Sequence, residues 1–238
     1  MRIRHKAWAK PELEACPFYV PEPKTLRGHW REQFSQPGCP LYLELGCGKG
    51  GWISQAVLQY PQMNLIALDI KNEMLGLAKR KLEAAYAAAQ QPAENVKIAI
   101  FNISYISDAF APEDRVDRIY INFCDPWPSK RHAKRRLTHG NFLKLYRQVL
   151  KMGGQIHFKT DNQPLFEFSV EELPQFGFEL SEVTRNLHEN GPVGVMTDYE
   201  AKFHELGQPI NRCVGTMVDW EEPEVPEDAE PAEETVEE

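Results

Sequence analysis

Leu43–Glu44–Leu45–Gly46–Cys47–Gly48–Lys49–Gly50–Gly51 closes an apolar run that begins at Leu41 and opens a segment of different period. In that segment Ile53, Ala56, Val57 and Tyr60 recur at i, i+3, i+4 and i+7, the spacing of a helix with one apolar face. A strand passing through a glycine-rich turn into a helix is the first unit of an α/β fold, and the glycines let the chain turn sharply against a ligand. The spacing through Gly46, Gly48 and Gly51 also fits G-x-G-x-x-G, so a dinucleotide site has to be weighed.

Outward from this unit, apolar runs alternate with helix-period segments. Strands are expected at Leu41–Leu45, Asn64–Asp69, Val96–Phe101, Arg118–Phe123 and Gly154–Lys159. In the fourth crossover Phe142, Leu145, Tyr146, Val149 and Leu150 repeat the helical spacing, with Thr138 as N-cap and Met152–Gly153–Gly154 as helix stop. Phe178 to Arg185 and Ile210 to Val218 read as a final hairpin-like pair, separated by a Gly/Pro-containing stretch and a short helix from Thr197. This order predicts a Rossmann-like, mostly parallel sheet with helices on both faces, the fold of S-adenosylmethionine-dependent methyltransferases. Residues 1–40, with five prolines before Gly38, read as an N-terminal arm, 41–220 as the methyltransferase domain, and 221–238 as an acidic, disordered tail.

Charge sharpens this division. The formal net charge is −8, yet Glu221 to Glu238 holds ten acids and no base; taking those from 35 leaves 25 acids against 27 bases, or +2. A basic patch on a near-neutral body is compatible with a polyanionic partner. The five cysteines are scattered and never form C-x-x-C, so neither a disulfide framework nor a metal site is expected. No apolar run reaches a membrane span, and basic Met1 to Lys6 is followed by Pro11, Glu12 and Glu14 in place of a signal core. A cytoplasmic protein is expected.

Glu44 shifts the balance between cofactors. A carboxylate two residues before the turn repels a pyrophosphate at the helix N-terminus, whereas a cofactor with an amino group and a sulfonium gains from it. Asp69, ending the second strand, then suits a ribose diol, and Asn102, after the third, an adenine edge. Taken singly, Glu44 is as readily a solvated strand end and Asp69 a helix cap. Three polar residues at three successive strand ends weigh against coincidence.

The fourth strand ends in Asp125–Pro126–Trp127–Pro128, followed by five cations in the seven residues Lys130 to Arg136. A carboxylate and an aromatic plane beside dense positive charge suit chemistry on a base held by its phosphates. Trp127 suits stacking of an unpaired base as well as it suits wedging under the turn. Thr197-x-x-Glu200 is a capping box for a helix through Lys202, Phe203 and Leu206, a role compatible with a substrate clamp.

With these motifs the chain resembles the bacterial tRNA (guanine-N7-)-methyltransferases. The resemblance runs over most of residues 1–220, through Met1 to His5, Leu43 to Gly50, Asp125 to Pro128, Arg131 to Arg136, Lys159 to Asp161 and Thr197 to Glu200. It implies methyl transfer from S-adenosylmethionine to N7 of a variable-loop guanine in tRNA. It also implies cofactor contacts from Glu44, Gly46, Gly48, Asp69, Asn102 and Asp125, with Asp125 also catalytic, and substrate contacts from Asp161, Thr197, Asp198, Tyr199 and Glu200. RNA contacts would come from Lys130, Arg131, His132, Lys134, Arg135 and Arg136. The chain departs from the family pattern at Asp69, where Glu is more frequent, at Cys124, and at Ser129, where a substrate-contacting lysine is usual; Lys130 stands beside that position.

Three rivals remain at this level. An exocyclic-amino methyltransferase is disfavoured by the Trp between the two prolines, a nicotinamide oxidoreductase by Glu44, and a non-catalytic RNA-binding protein by the set Glu44, Asp69 and Asp125. Monomer and homodimer are both compatible with the sequence.

Overall fold

The computed structural model describes residues 4–223, except for the side chain of Asp198. Most of the acidic tail, from Glu224 onward, lies outside the described residues, as does the side-chain role expected of Asp198.

A single eight-stranded sheet carries the architecture. In chain order its strands are β1 (Tyr19–Val20), β2 (Leu41–Leu45), β3 (Asn64–Asp69), β4 (Val96–Ile100), β5 (Val116–Asn122), β6 (Leu150–Thr160), β7 (Phe178–Thr184) and β8 (Asn211–Met217). Their order across the sheet is β1-β4-β3-β2-β5-β6-β8-β7, with every pair parallel except those made by β8. Every residue of β2 and β3 is buried, as expected of parallel strands covered on both faces. Helices α1 (Ala9–Glu14), α2 (Ile53–Gln59) and α3 (Asn72–Ala89) enclose one core, in which Trp52, Ile53, Val57 and Leu75 meet Leu65 and Ile98. On the other face α4 (Ile106–Ala109), α5 (Gly140–Val149) and α6 (Gln163–Gln175) pack around Ile119, Ile156, Phe158 and Phe166.

The last two strands form the expected antiparallel pair, but β8 inserts between β6 and β7. The α6 crossover carries the chain past one strand position, and the return strand fills the gap. Residues before β2 are held against the domain: α1 lies on α3, and β1 extends the sheet beside β4. Trp30 is fully buried, its Nε1 donating to the Ala109 carbonyl at 2.7 Å, while its backbone N–H donates to Asp114 at 3.0 Å.

Two local expectations are corrected. α5 is capped by His139, whose Nδ1 accepts from Asn141 N–H at 3.1 Å, and not by Thr138. The Thr138 hydroxyl is buried 2.7 Å from Ser169 Oγ, joining α5 to α6. Met152–Gly154 is not a helix stop, because α5 ends at Val149 and β6 begins at Leu150. Gly153 instead takes φ +73° where the register between β5 and β6 slips, the left-handed conformation that a bulge requires.

Candidate active site

The carboxyl ends of β2, β3, β5 and β6 converge on one edge of the sheet, the edge where doubly wound folds bind ligands. Gly46 and Gly48 take φ of +71° and +55°, and the N–H groups of Gly46 and Cys47 both donate to the Leu68 carbonyl. Gly50 is required for a different reason: a Cβ there would lie 2.7 Å from Ala78 Cα, so its absence lets α3 approach the loop. Leu137 lies against Gly46, and Thr197 against Gly51, so the segments after β5 and before the last helix flank the glycine loop.

Glu44 is almost wholly buried. Its Oε1 accepts from Asn122 Nδ2 at 3.2 Å, while Glu44 Oε2 and Asn122 Oδ1 have no partner among the described residues. Burial pushes the carboxyl up to about 8; the Asn122 hydrogen bond and the Lys159 charge partly offset this, and the Asp69 charge adds to it. Asp69 is also buried, its Oδ2 accepting from Gly48 N–H and its Oδ1 from Lys71 N–H, both at 2.9 Å. Each carboxylate oxygen can accept more than one bond, so Asp69 retains capacity for a diol. Between the acids, the Cys47 thiol is pushed well up by burial and by both neighbouring charges. Asn102 follows β4 and is exposed, its Oδ1 accepting from Ser104 N–H at 3.1 Å.

Past β5 the backbone leaves the sheet abruptly. Phe123 takes φ +53° and donates its N–H to the Lys159 carbonyl at 2.9 Å; Trp127 takes φ +43°. Left-handed non-glycine residues carry strain of about 1–3 kcal/mol and persist only where surroundings impose them. Here the brace is Arg136. Its guanidinium donates to Trp127 O at 3.1 Å and to Pro126 O at 3.3 Å, and lies 4.5 Å from the Phe168 ring centroid. Asp125 sits on the turn, exposed and unpaired among the described residues.

Lys130–Arg135 form a short 3₁₀ helix. Lys130, Arg131, Lys134 and Arg135 are exposed and make no ion pair among the described residues. The Arg135 guanidinium lies 4.9 Å from the Trp127 ring centroid, and His132 meets the same ring edge-on. Four exposed cations therefore follow the turn, and one of them, Arg135, lies over its half-buried indole.

α7 (Asp198–Glu205) begins with both halves of the capping box: Glu200 N–H donates to Thr197 Oγ1 at 3.1 Å, and Thr197 N–H donates to Glu200 Oε2 at 3.0 Å. Glu200 is fully buried, and its Oε1 accepts from Lys159 Nζ at 2.7 Å. Lys159 also donates to Val195 O at 3.1 Å, and His188 Nε2 lies 3.4 Å from the same Glu200 oxygen. Burial lowers the Lys159 and His188 pKa values, with Glu200 acting in the opposite sense on both. Tyr199 is exposed; its hydroxyl donates to Asp161 Oδ2 at 3.2 Å and its ring meets Phe123 and Phe203. Burial and the Asp161 charge push that hydroxyl up to about 12.

Asp125, Asp161 and Tyr199 are thus exposed, whereas Glu44 and Asp69, at the ends of β2 and β3, are buried. Thr197, Glu200 and Arg136 stand apart: their polar atoms are engaged inside the protein, the first two in the helix cap and the third in the turn. Sequence reasoning missed Asn122, Phe123, Lys159 and His188. Asn122 and Lys159 carry a readable signal, each being a polar residue at or next to the end of an apolar strand. Nothing local marks Phe123 or His188. Among the described residues, no group of three His, Cys, Asp or Glu side chains could hold a metal ion, and no helix is long and apolar enough to cross a membrane.

Glycines under a buried acid, a second acid on the next strand and a parallel sheet closed by one antiparallel strand define the Rossmann-like fold of S-adenosylmethionine-dependent methyltransferases. The 16S rRNA methyltransferase KamB shares this fold with a TM-score of 0.56 at 16% identity, over 79% of this chain and 91% of that one. The family model "Putative methyltransferase" matches residues 39–213. The tRNA (guanine-N(7)-)-methyltransferase of Clostridium perfringens is 47% identical over 88% of this chain and 96% of that relative. The enzyme of the same name from Clostridium beijerinckii is 48% identical over the same shares of the two chains. The chain belongs to the tRNA (guanine-N(7)-)-methyltransferase family.

Proposed function

We propose that this enzyme transfers a methyl group from S-adenosylmethionine to N7 of a variable-loop guanine in tRNA, forming 7-methylguanosine in the cytoplasm. The observation carrying this reading is what gathers at one sheet edge: two buried acceptors without partners among the described residues, Glu44 Oε2 and Asn122 Oδ1, and, in the chain that follows β5, the exposed Asp125 and four exposed cations. The first pair fits a cationic methyl donor, and the cations fit a phosphate backbone. When bound, the donor supplies an electrophilic methyl: its S–CH₃ bond breaks as the N7 lone pair forms N7–CH₃, the bond pair staying on sulfur and no proton moving.

This chain's residues then have to align and to stabilise charge, not to abstract a proton. In this reading Glu44, Asp69 and Asn102 hold the donor, with Gly46 and Gly48 giving it bare backbone. Asp125 faces the guanine, either as the counter-charge to its developing positive charge or as acceptor for its N–H groups. Asp161 and Tyr199 hold the nucleoside from the α7 side, while Thr197 and Glu200 act by fixing the start of that helix. Incubation with labelled S-adenosylmethionine and unmodified tRNA, followed by nucleoside analysis, tests the reaction. Label in 7-methylguanosine is expected; label in an N2-methylated guanine, or none in tRNA, overturns it.

For the RNA interface, Arg131, Lys134 and Arg135 are the side chains to neutralise together, because Arg136 is committed to the turn. Every phosphate that a neutralised side chain no longer meets is expected to flatten the slope of log affinity against log salt by roughly 0.7–0.9. An unchanged slope in a filter-binding titration removes this segment from the interface.

A further inference from the structure

We propose, resting on the RNA interface assigned above, that the acidic segment 224–238 docks on the basic run Lys130 to Arg135 of its own chain, and that tRNA has to displace it. The run is short of partners. Lys130, Arg131, Lys134 and Arg135 are exposed and make no ion pair among the described residues, whereas Lys24, Lys144 and Arg185, equally open, each pair with a carboxylate. Residues 224–238, which lie outside the described residues, hold eight acids and no base.

The course of the chain after β8 names the occupant. Val218 O accepts from Arg147 Nη2 at 3.0 Å, near the end of α5. Trp220 then settles beside Phe176, with ring centroids 5.8 Å apart and Trp220 Nε1 donating to Gln175 O at 2.9 Å. Two residues later Glu222 pairs with Lys144. Arg147 and Lys144 are three residues apart on the helix, so the chain runs about 4.5 Å back toward the start of α5. Phe176 marks that start, because its ring leaves no room for a side chain at Gly140. The segment therefore leaves the described structure heading for the end of α5 that the basic run enters, with only Arg136 to His139 between them.

Reach is not limiting: fifteen extended residues span up to about 50 Å, and a coil of that length roughly 20 Å. A tether of this kind sets a local concentration of about millimolar, so exposed ion pairs too weak to hold a free peptide suffice. The cations of α5 beside the exit do not compete for the segment. Lys144 is taken by Glu222, and Arg147 donates to the carbonyls of Phe176, Gly177 and Val218. Carboxylates spaced along one strand of chain offer the basic run the same charge that phosphates offer, so the segment and an RNA backbone exclude each other there.

Carbodiimide coupling, which joins a lysine amine to a carboxylate in contact with it, tests the docking without RNA. In the unaltered protein at low salt Lys130 or Lys134 is expected to be joined to residues 224–238, with the Lys144–Glu222 product as internal reference, and the first product should fade by about 0.5 M salt. Absence of that product while the reference forms overturns the inference. So does its confinement to a dimer band, which would put another copy's segment on the run. The consequence for RNA is read from truncation after Pro223, which keeps Trp220 and Glu222. The truncated protein is expected to bind tRNA about three- to tenfold more tightly at about 50 mM salt, the worth of a few exposed ion pairs, with the gain largely gone by about 0.3 M. With Arg131, Lys134 and Arg135 neutralised, truncation should change nothing. An equal gain in that variant would mean plain repulsion between segment and RNA, and no gain in the unaltered background would mean no competition; either overturns the inference. Should tRNA prove not to bind these cations, the coupling product still forms, so failure of the RNA interface and failure of the docking are told apart.

Discussion

Asp125→Ala is expected to lower kcat for 7-methylguanosine formation by about 10²–10³, the effect of removing one preorganised charge-stabilising group, with tRNA affinity changed only a few-fold. Asp125 suits this role because nothing else in the structure uses it. It is exposed, unpaired among the described residues, and carried on a turn that Arg136 and the strained Phe123 and Trp127 hold in place. As the methyl passes to N7, positive charge moves onto the guanine, and a carboxylate there stabilises the product side of the transition state more than the ground state. Most RNA affinity comes from phosphates, for which the proposed partners are Lys130, Arg131, Lys134 and Arg135 and not Asp125. Single-turnover rates and filter binding on the same variant separate the two effects. Full activity in Asp125→Ala would refute the assignment, and a parallel loss of tRNA binding would make Asp125 a binding residue only.

Lys159→Met is expected to destabilise the protein by about 3–5 kcal/mol, the range for breaking one side of a buried ion pair. For a chain of this size that is a fall in Tm of roughly 6–20 °C. Glu200, fully buried, would be left with its charge uncompensated, and Val195 O would lose its donor. His188, 3.4 Å from Glu200, is positioned to replace the missing charge. Burial holds the His188 pKa down, and losing the Lys159 charge removes one of the charges that lower it, so in the variant His188 takes up its proton more readily than in the unaltered protein and its compensation is lost as pH rises. The deficit should therefore be smaller at pH 5.5 than at pH 9. Adding Glu200→Gln removes the orphaned charge and should recover much of the stability. Thermal melts across that pH range, with the double variant alongside, decide the matter; no recovery in the double variant would mean that Lys159 acts through packing alone.

Several elements could be read directly from the chain because their signals are local. The period change at the glycine loop marked β2 and α2, and the apolar runs at Asn64–Asp69 and Val96–Phe101 placed the next two strands to within a residue. The capping box at Thr197 and Glu200 is an interaction between near neighbours, so its four-residue spacing sufficed. Thr138 was misread for the opposite reason. Its hydroxyl is taken by Ser169, 31 residues away, and a helix-start pattern carries no trace of that contact.

Residue types along the sequence, then, determined the order of strands and helices, the acids at strand ends and the concentration of cations after Pro128, since each depends on periodicity or composition over a few positions. Only the tertiary structure decided which of these groups are open for chemistry. Glu200 and Arg136 read alike as ligand contacts in one dimension; in the fold Glu200 is buried against Lys159, and Arg136 donates to carbonyls of the turn. Asn122 is readable as a polar strand-end residue, but its contact with Glu44 belongs to the tertiary structure. Burial and hydrogen-bond competition depend on groups far apart in the chain, and the cost of an unmet buried polar atom is settled only once those groups are brought together.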